Sequence, residues 1–272
     1  MVNVSIDARR NRNDESPITQ EQRDKIQKAS NKAYVIVRKG YNVLDKILDQ
    51  SGTLSERERK IREAWMNVTE VKRWFGTDYL SPYQINQINN RLGRLKNNLE
   101  GTVRFRIIQH QTGDRSWLCN ADSVAYCSGG SSIKLCPSFF YDKITNERGR
   151  AITVVHELCH HVGLIDRRVE GNKVYGRDPA KELAINDPRE ARKNPSNLAY
   201  FCDEYYKVQV FMGNTNTKEV HDLDNEKTGR NQCQIDEIIA AGHAKTFNPD
   251  TLEQAHKEGY DNCAHCIGQS EK

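Results

Sequence analysis

Ala151-Ile152-Thr153-Val154-Val155-His156-Glu157-Leu158-Cys159-His160-His161-Val162-Gly163 is the stretch on which the reading of this chain turns. Ala151, Val154, Val155, Leu158 and Val162 recur at helical spacing and make an apolar stripe. His156 and His160 stand four apart, so the same helix projects both imidazoles from one face, at a separation that suits a single tetrahedral zinc. The stripe falls largely on the opposite face, so burying it leaves the histidines facing a cleft. Glu157 then lies beside the metal without ligating it. A carboxylate placed there can take a proton from water that the metal activates and hand it to the leaving amine. The bland alternative is a pair of surface histidines on an ordinary helix.

Immediately downstream, Gly163 can end the helix in the left-handed conformation and turn the chain back, so that Asp166 reaches the metal. Two histidines and one carboxylate leave the fourth position open, as catalytic zinc requires. Glu170, Asp178, Glu182 and Asp187 compete for the third place. Glu182, on a following helix, is the main rival; Asp166 is preferred because the Gly163 turn explains its reach.

Upstream, Ile26, Ala29, Ala33, Ile36, Val37, Val43, Leu44 and Ile47 predict a long amphipathic helix between Pro17 and Gln50, interrupted at Gly40. Ser55 predicts the cap of a second helix reaching Trp74 and stopped by Gly76, and Ser81-Pro82 the start of a third running to Leu99. Val103, Phe105 and Ile107 alternate as a strand. Ser123 to Tyr126, a Gly129-Gly130 turn and Ser132 to Leu135 read as an antiparallel hairpin. The class expected is α+β, with N-terminal helices, a small antiparallel sheet and the active-site helix. The divisions expected are a flexible tail over 1–20, a catalytic domain over 21–212 and a polar extension over 213–272.

The 41 basic and 37 acidic residues leave a net charge of +4 with no basic block interleaved with aromatics, which argues against a nucleic-acid partner. Nowhere do about 18 uncharged apolar residues run together, so membrane insertion is not expected, and the first twenty residues carry no stretch of signal-peptide length. Eight cysteines lean towards an oxidising destination. The two observations meet in a protein secreted or delivered outside the producing cell without a recognisable signal peptide. Cys263-x-x-Cys266 lacks a second closely spaced cysteine pair, so disulfides or free thiols are expected there rather than metal; His110, His221, His243, His256 and His265 show no metal spacing.

His156-Glu157-Leu158-Cys159-His160, then Gly163-Leu164-Ile165-Asp166, then Tyr175-Gly176 together resemble the aspzincin metallopeptidases, the group of deuterolysin and the peptidyl-Lys metalloendopeptidases. Trp74-Phe75-Gly76, Leu135-Cys136-Pro137-Ser138-Phe139-Phe140, and Asp187-Pro188-Arg189-Glu190-Ala191 with Asn194, Asn197 and Ala199-Tyr200-Phe201 extend the likeness over roughly residues 30 to 205. The sequence departs from the pattern by lengthening the segment from Arg167 to Val174 and by Leu164 where the family usually has Thr. The resemblance implies a zincin-like fold, one catalytic zinc, endopeptidase action on proteins or peptides, and Tyr175 as hydrogen-bond donor to the tetrahedral oxyanion. Related catalytic domains travel as cargo, which implies a delivered effector or toxin. Ser196 and Ala199 stand where the Lys-specific members carry acidic side chains, so Lys specificity is expected to be absent. The competing reading is a catalytically inactive binding module that keeps zinc for stability; an intact Glu157 argues against it.

Overall fold

The structure is a computed structural model and describes residues 1–7, 18–76, 80–108, 119, 123–127, 132–141, 144, 146–205, 211–223, 227, 232–249 and 251–269. The chain separates into two compact units, Met1–Tyr206 and Lys207–Lys272.

In the first unit, Thr19 starts helix α1 (Gln20–Leu48) with a reciprocal cap: its hydroxyl accepts from the Gln22 N–H, and the Gln22 side chain accepts from the Thr19 N–H. Ile26, Ala29, Ala33, Ile36, Val37, Leu44 and Ile47 are buried along it. The helix runs through Gly40 without the expected interruption. Gly40 serves packing instead: a Cβ there would lie 2.9 Å from Cys202 Sγ and 3.2 Å from Cys202 Cα, on helix α8 (Pro195–Tyr205). The second expected helix is two, α2 (Leu54–Met66) and α3 (Thr69–Phe75), and the residue before the first is Thr53 rather than Ser55. Asn67 and the β-branched Val68, both weak helix formers, sit at the break. Helix α4 (Pro82–Glu100) begins as expected, with Ser81 accepting from the Gln84 N–H.

Strands β1 (Asn3–Asp7), β2 (Thr102–Ile107), β3 (Ala125–Tyr126) and β4 (Ile133–Leu135) form one sheet in the order β1-β2-β4-β3. The β3–β4 pair is antiparallel as read; β1–β2 and β2–β4 are parallel, so the sheet is mixed rather than antiparallel. Four helices separate β1 from β2 in the chain, a crossover long enough for parallel pairing. The stretch read as a flexible tail therefore holds an edge strand. The expected Gly129-Gly130 turn lies outside the described residues, and Cys119 and Cys136 form a disulfide.

Helix α5 (Glu147–His161) is capped by Asn146, whose side chain accepts from the Gly149 N–H at 2.7 Å, and packs on α1, α4 and α8. After it come a short hairpin, β5 (Arg168–Val169) and β6 (Asn172–Lys173), then α6 (Arg177–Asn186) and α7 (Pro188–Ala191). The arrangement is α+β.

The second unit, which takes in the stretch read as a polar extension, carries its own sheet and helices. Strands β7 (Phe211–Asn214), β8 (Glu219–Asp222), β9 (Ala244–Thr246) and β10 (Asp261–Asn262) pair in the order β10-β8-β7-β9, with α9 (Ile235–Ala240) and α10 (Leu252–Lys257). Val220, Phe247, Ala255 and Tyr260 make one apolar cluster. Cys233, Cys263 and Cys266 are buried and not disulfide-bonded, so the disulfides the sequence allowed for Cys263 and Cys266 do not form. Among the described residues, no helix is long and apolar enough to cross a membrane.

Candidate metal centre

Helix α5 buries Ala151, Val154, Val155 and Leu158, which turns His156 and His160 the other way, their ring centres 5.4 Å apart. Past α5, Gly163 takes φ +88°, its N–H donates to the His160 carbonyl, and the Leu164 N–H reaches back to the Cys159 carbonyl. This is a Schellman closure with glycine at the left-handed position. A Cβ on Gly163 would meet nothing within 4 Å, so the demand is on its backbone angle and not on space. The turn carries Asp166 back under the imidazoles: Asp166 Oδ1 lies 3.3 Å from His156 Nε2 and 3.6 Å from His160 Nε2. Glu182, the rival third ligand, is exposed on α6 and outside this group.

The donor set fits a cation. One ligand atom from each of His156, His160 and Asp166 lies within 4.8 Å of the others. Asp166 Oδ1 is buried without a hydrogen-bond partner, as an oxygen reserved for a metal would be. His160 Nδ1 is 3.0 Å from the Leu164 carbonyl oxygen, which can only accept; Nδ1 therefore carries the proton and Nε2 is the bare, ligating nitrogen. Burial and the neighbouring His156 lower the His160 pKa, favouring that neutral form. His156 Nδ1 meets Ser196 Oγ at 3.3 Å. Burial raises the Asp166 carboxyl, but the His156 imidazole and the Tyr175 hydroxyl outweigh it and hold the group well below the usual carboxylate range.

Glu157 is buried, its Oε2 without a partner among the described residues. Burial, with Asp166 nearby, pushes its carboxyl up to about 7, against the pull of His156 and the Cys127 backbone N–H. Tyr175 is half exposed; its hydroxyl donates to Asp166 Oδ2 at 2.7 Å and accepts from Lys173 Nζ at 2.9 Å. Burial leads in pushing it up to about 12, so it stays a donor. The lengthened segment does not carry Tyr175 away: it folds as the β5–β6 hairpin, closed by the Val174 N–H on the Arg167 carbonyl, and returns the chain beside Asp166. Sequence reasoning missed Lys173, which also donates to Asp166 Oδ2 at 3.3 Å; nothing in its spacing marks it.

The downstream landmarks act as scaffold. Asn194 Oδ1 accepts the Arg167 N–H, which anchors the loop just after Asp166. Fully buried Asn197 donates to the carbonyls of Trp74 and Ala180, joining α8 to α3 and α6. A cleft of about 590 Å³ opens over the site, lined among others by Glu157, Lys173, Tyr175, Ser196, Ala199 and Tyr200.

Residues 60–203 match the family model of the aspzincins, described as lysine-specific metallo-endopeptidase. A peptidyl-Lys metalloendopeptidase from Armillaria mellea is 33% identical over 81 residues, 30% of this chain and 22% of that protein. An extracellular protease from Aeromonas hydrophila is 34% identical over 87 residues, 31% of this chain and 24% of that protein. The chain thus spans under a quarter of the length of these relatives. A zinc peptidase from Grifola frondosa superposes with a TM-score of 0.49 at 20% identity, covering 69% of this chain and 97% of that one.

Proposed function

The chain belongs to the aspzincin metalloendopeptidases, and from that premise we propose that it is a zinc-dependent endopeptidase in which His156, His160 and Asp166 hold the ion, Glu157 is the general base and Tyr175 steadies the oxyanion. The observation that carries this is the orphaned Asp166 Oδ1 facing two Nε2 atoms at 3.3 and 3.6 Å, with the unpartnered Oε2 of Glu157, the residue after His156 in the helix. Zinc bound there supplies a Lewis acid that polarises a carbonyl and acidifies water. Glu157 accepts the proton at its free Oε2 and returns it to the departing amine. Tyr175 donates its hydroxyl hydrogen, given to Asp166 at rest, to the negative oxygen that develops on the substrate carbonyl. Lys173 and Ser196 position: one holds Tyr175 and Asp166, the other sets the His156 ring.

Lys is not the preferred residue in this cleft. Among its described lining residues Glu157 is the sole carboxylate, Ser196 and Ala199 are uncharged, and Lys173 adds a cation. A desolvated substrate ammonium would lack a partner, a cost of several kcal/mol in order of magnitude. The relative from Aeromonas hydrophila is an extracellular protease, and action outside the producing cell, as an effector or toxin, is the setting we assign. The rival, an inactive zinc-stabilised binding module, gives no use to a buried unligated Glu157.

The test is zinc content and cleavage of a mixed, unfolded protein substrate by wild type and Asp166→Ala, with and without chelator. Expected are chelator-sensitive cleavage by the wild type and one zinc fewer per chain in Asp166→Ala. Equal zinc in the two would move the third ligand elsewhere. Zinc bound here without any cleavage would favour the binding module.

A further inference from the structure

Four side chains in the Lys207–Lys272 unit converge without any catalytic counterpart around them. His221 comes from β8, Cys233 from the approach to α9, Cys263 from just after β10, and Cys266 from the turn that follows. One ligand atom from each lies within 4.8 Å of the other three, and all four residues are buried. We propose that His221, Cys233, Cys263 and Cys266 form a second, structural zinc site.

The distances suit that metal. With Zn–S near 2.3 Å and Zn–N near 2.0 Å, tetrahedral ligands stand about 3.8 Å apart sulfur to sulfur and about 3.5 Å sulfur to nitrogen. Cys233 Sγ and Cys263 Sγ are 3.9 Å apart, and Cys266 Sγ is 3.9 Å from His221 Nδ1. A disulfide needs about 2.0 Å and joins two sulfurs, leaving the third thiol and the imidazole of this group unexplained. His221 Nε2 is buried without a hydrogen-bond partner among the described residues.

The backbone is arranged for thiolates. The Asp222 N–H points at Cys266 Sγ at 3.3 Å and the Lys227 N–H at Cys233 Sγ at 3.4 Å, the donors that charged sulfur would draw on. Both Ile267 and Gly268 N–H groups close on the Cys263 carbonyl, a tight turn that folds Cys266 back to face Cys263. Met212, Ile235 and Ile238 pack around the sulfurs and exclude water. Three soft thiolates and one imidazole select zinc among common divalent ions, and four protein ligands leave no open position, so the site is structural.

The test uses the full-length chain loaded with cobalt in place of zinc. Thiolate ligation gives a sulfur-to-cobalt charge-transfer band in the near ultraviolet; the His156, His160 and Asp166 set contains no sulfur and cannot. The band should appear in wild type, survive in His156→Ala, and vanish in the double variant Cys263→Ser with Cys266→Ser. Should that variant fail to fold, wild type answers alone: maleimide labelling of Cys233, Cys263 and Cys266 should be absent with zinc and complete after chelation. No charge-transfer band in cobalt-loaded wild type, or a disulfide among these three cysteines in a non-reducing peptide map, overturns the proposal. Loss of peptidase activity with the band intact speaks only to the first site.

Discussion

At Glu157 the Cys127 backbone N–H holds the carboxylate while Oε2, buried, has no partner, so the group is fixed in place but free to accept a proton. Replacing it with alanine removes the base and none of the ligands. Glu157→Ala is therefore expected to keep its zinc and fold while turnover falls by about two to four orders of magnitude; a loss under tenfold would assign the proton to another group. Substrate choice belongs to the same scale. None of the side chains of Ser196, Ala199 and Lys173 offers an anion to a lysine, and the acidic residues nearby are already engaged: Asp166 by Lys173 and Tyr175, Asp203 by Arg148 and Arg177, Glu204 by Arg73 and Arg177. Digestion of a proteome-derived peptide library should show no enrichment of cleavage before Lys. Strong enrichment would mean that a carboxylate outside this lining reaches the pocket.

Among elements, the α5-to-hairpin connection decides whether three ligands meet. Alanine at Gly163 must adopt φ near +88°, which costs about 1–2 kcal/mol although it touches nothing. Gly163→Ala should lower the unfolding free energy read from a urea titration by that amount and weaken zinc binding by displacing Asp166; unchanged zinc affinity would mean the loop finds Asp166's position without the turn. The α5–α8 contact rests on a charge. Asp203 is fully buried and takes both Arg148 and Arg177, whose side chains are 29% and 37% exposed. Because the arginines reach water, Asp203→Asn should cost about 2–3 kcal/mol rather than the full penalty of a broken buried pair, read as a drop in melting temperature with no change in zinc content. What was legible at this scale was local. The i, i+4 histidines, the Gly163 turn and the capped starts of α1 and α4 each declare themselves within a few residues. The β1–β2 pairing joins positions about a hundred residues apart and left no local trace. The hairpin that returns Tyr175 to Asp166 read only as a lengthened segment because its strands are two residues each, too short for alternation to show.

For the whole molecule, the two units stand on different physical footings. The first holds Trp65, Trp74, Phe75, Phe105, Phe139, Phe140 and Phe201 fully buried, with the proposed metal ligands on one helix and the loop after it. That burial predicts a core that holds without the ion. The second unit is shorter than the roughly 70–80 residues at which a hydrophobic core alone becomes sufficient, and one of its two buried clusters packs Met212, Ile235 and Ile238 around the sulfurs of Cys233, Cys263 and Cys266. Its metal would tie β8, the start of α9 and the turn after β10; Cys263-x-x-Cys266 is the part visible as a spacing motif, while Cys233 and His221 lie 30 and 42 residues before Cys263 (263 − 233 and 263 − 221) and show no spacing. Chelation should thus act unequally. Hydrogen exchange on the full chain after zinc removal should show lost protection across β7, β8 and α9, and near-complete retention in α1, α4, α5 and α8, with only the loop around Asp166 loosening in the first unit. Full protection of 207–272 in zinc-free protein would mean that Val220, Phe247 and Tyr260 carry that fold unaided and the cation there is dispensable. Loss of protection in both units together would mean instead that the first core is held by its catalytic ion, contrary to its burial.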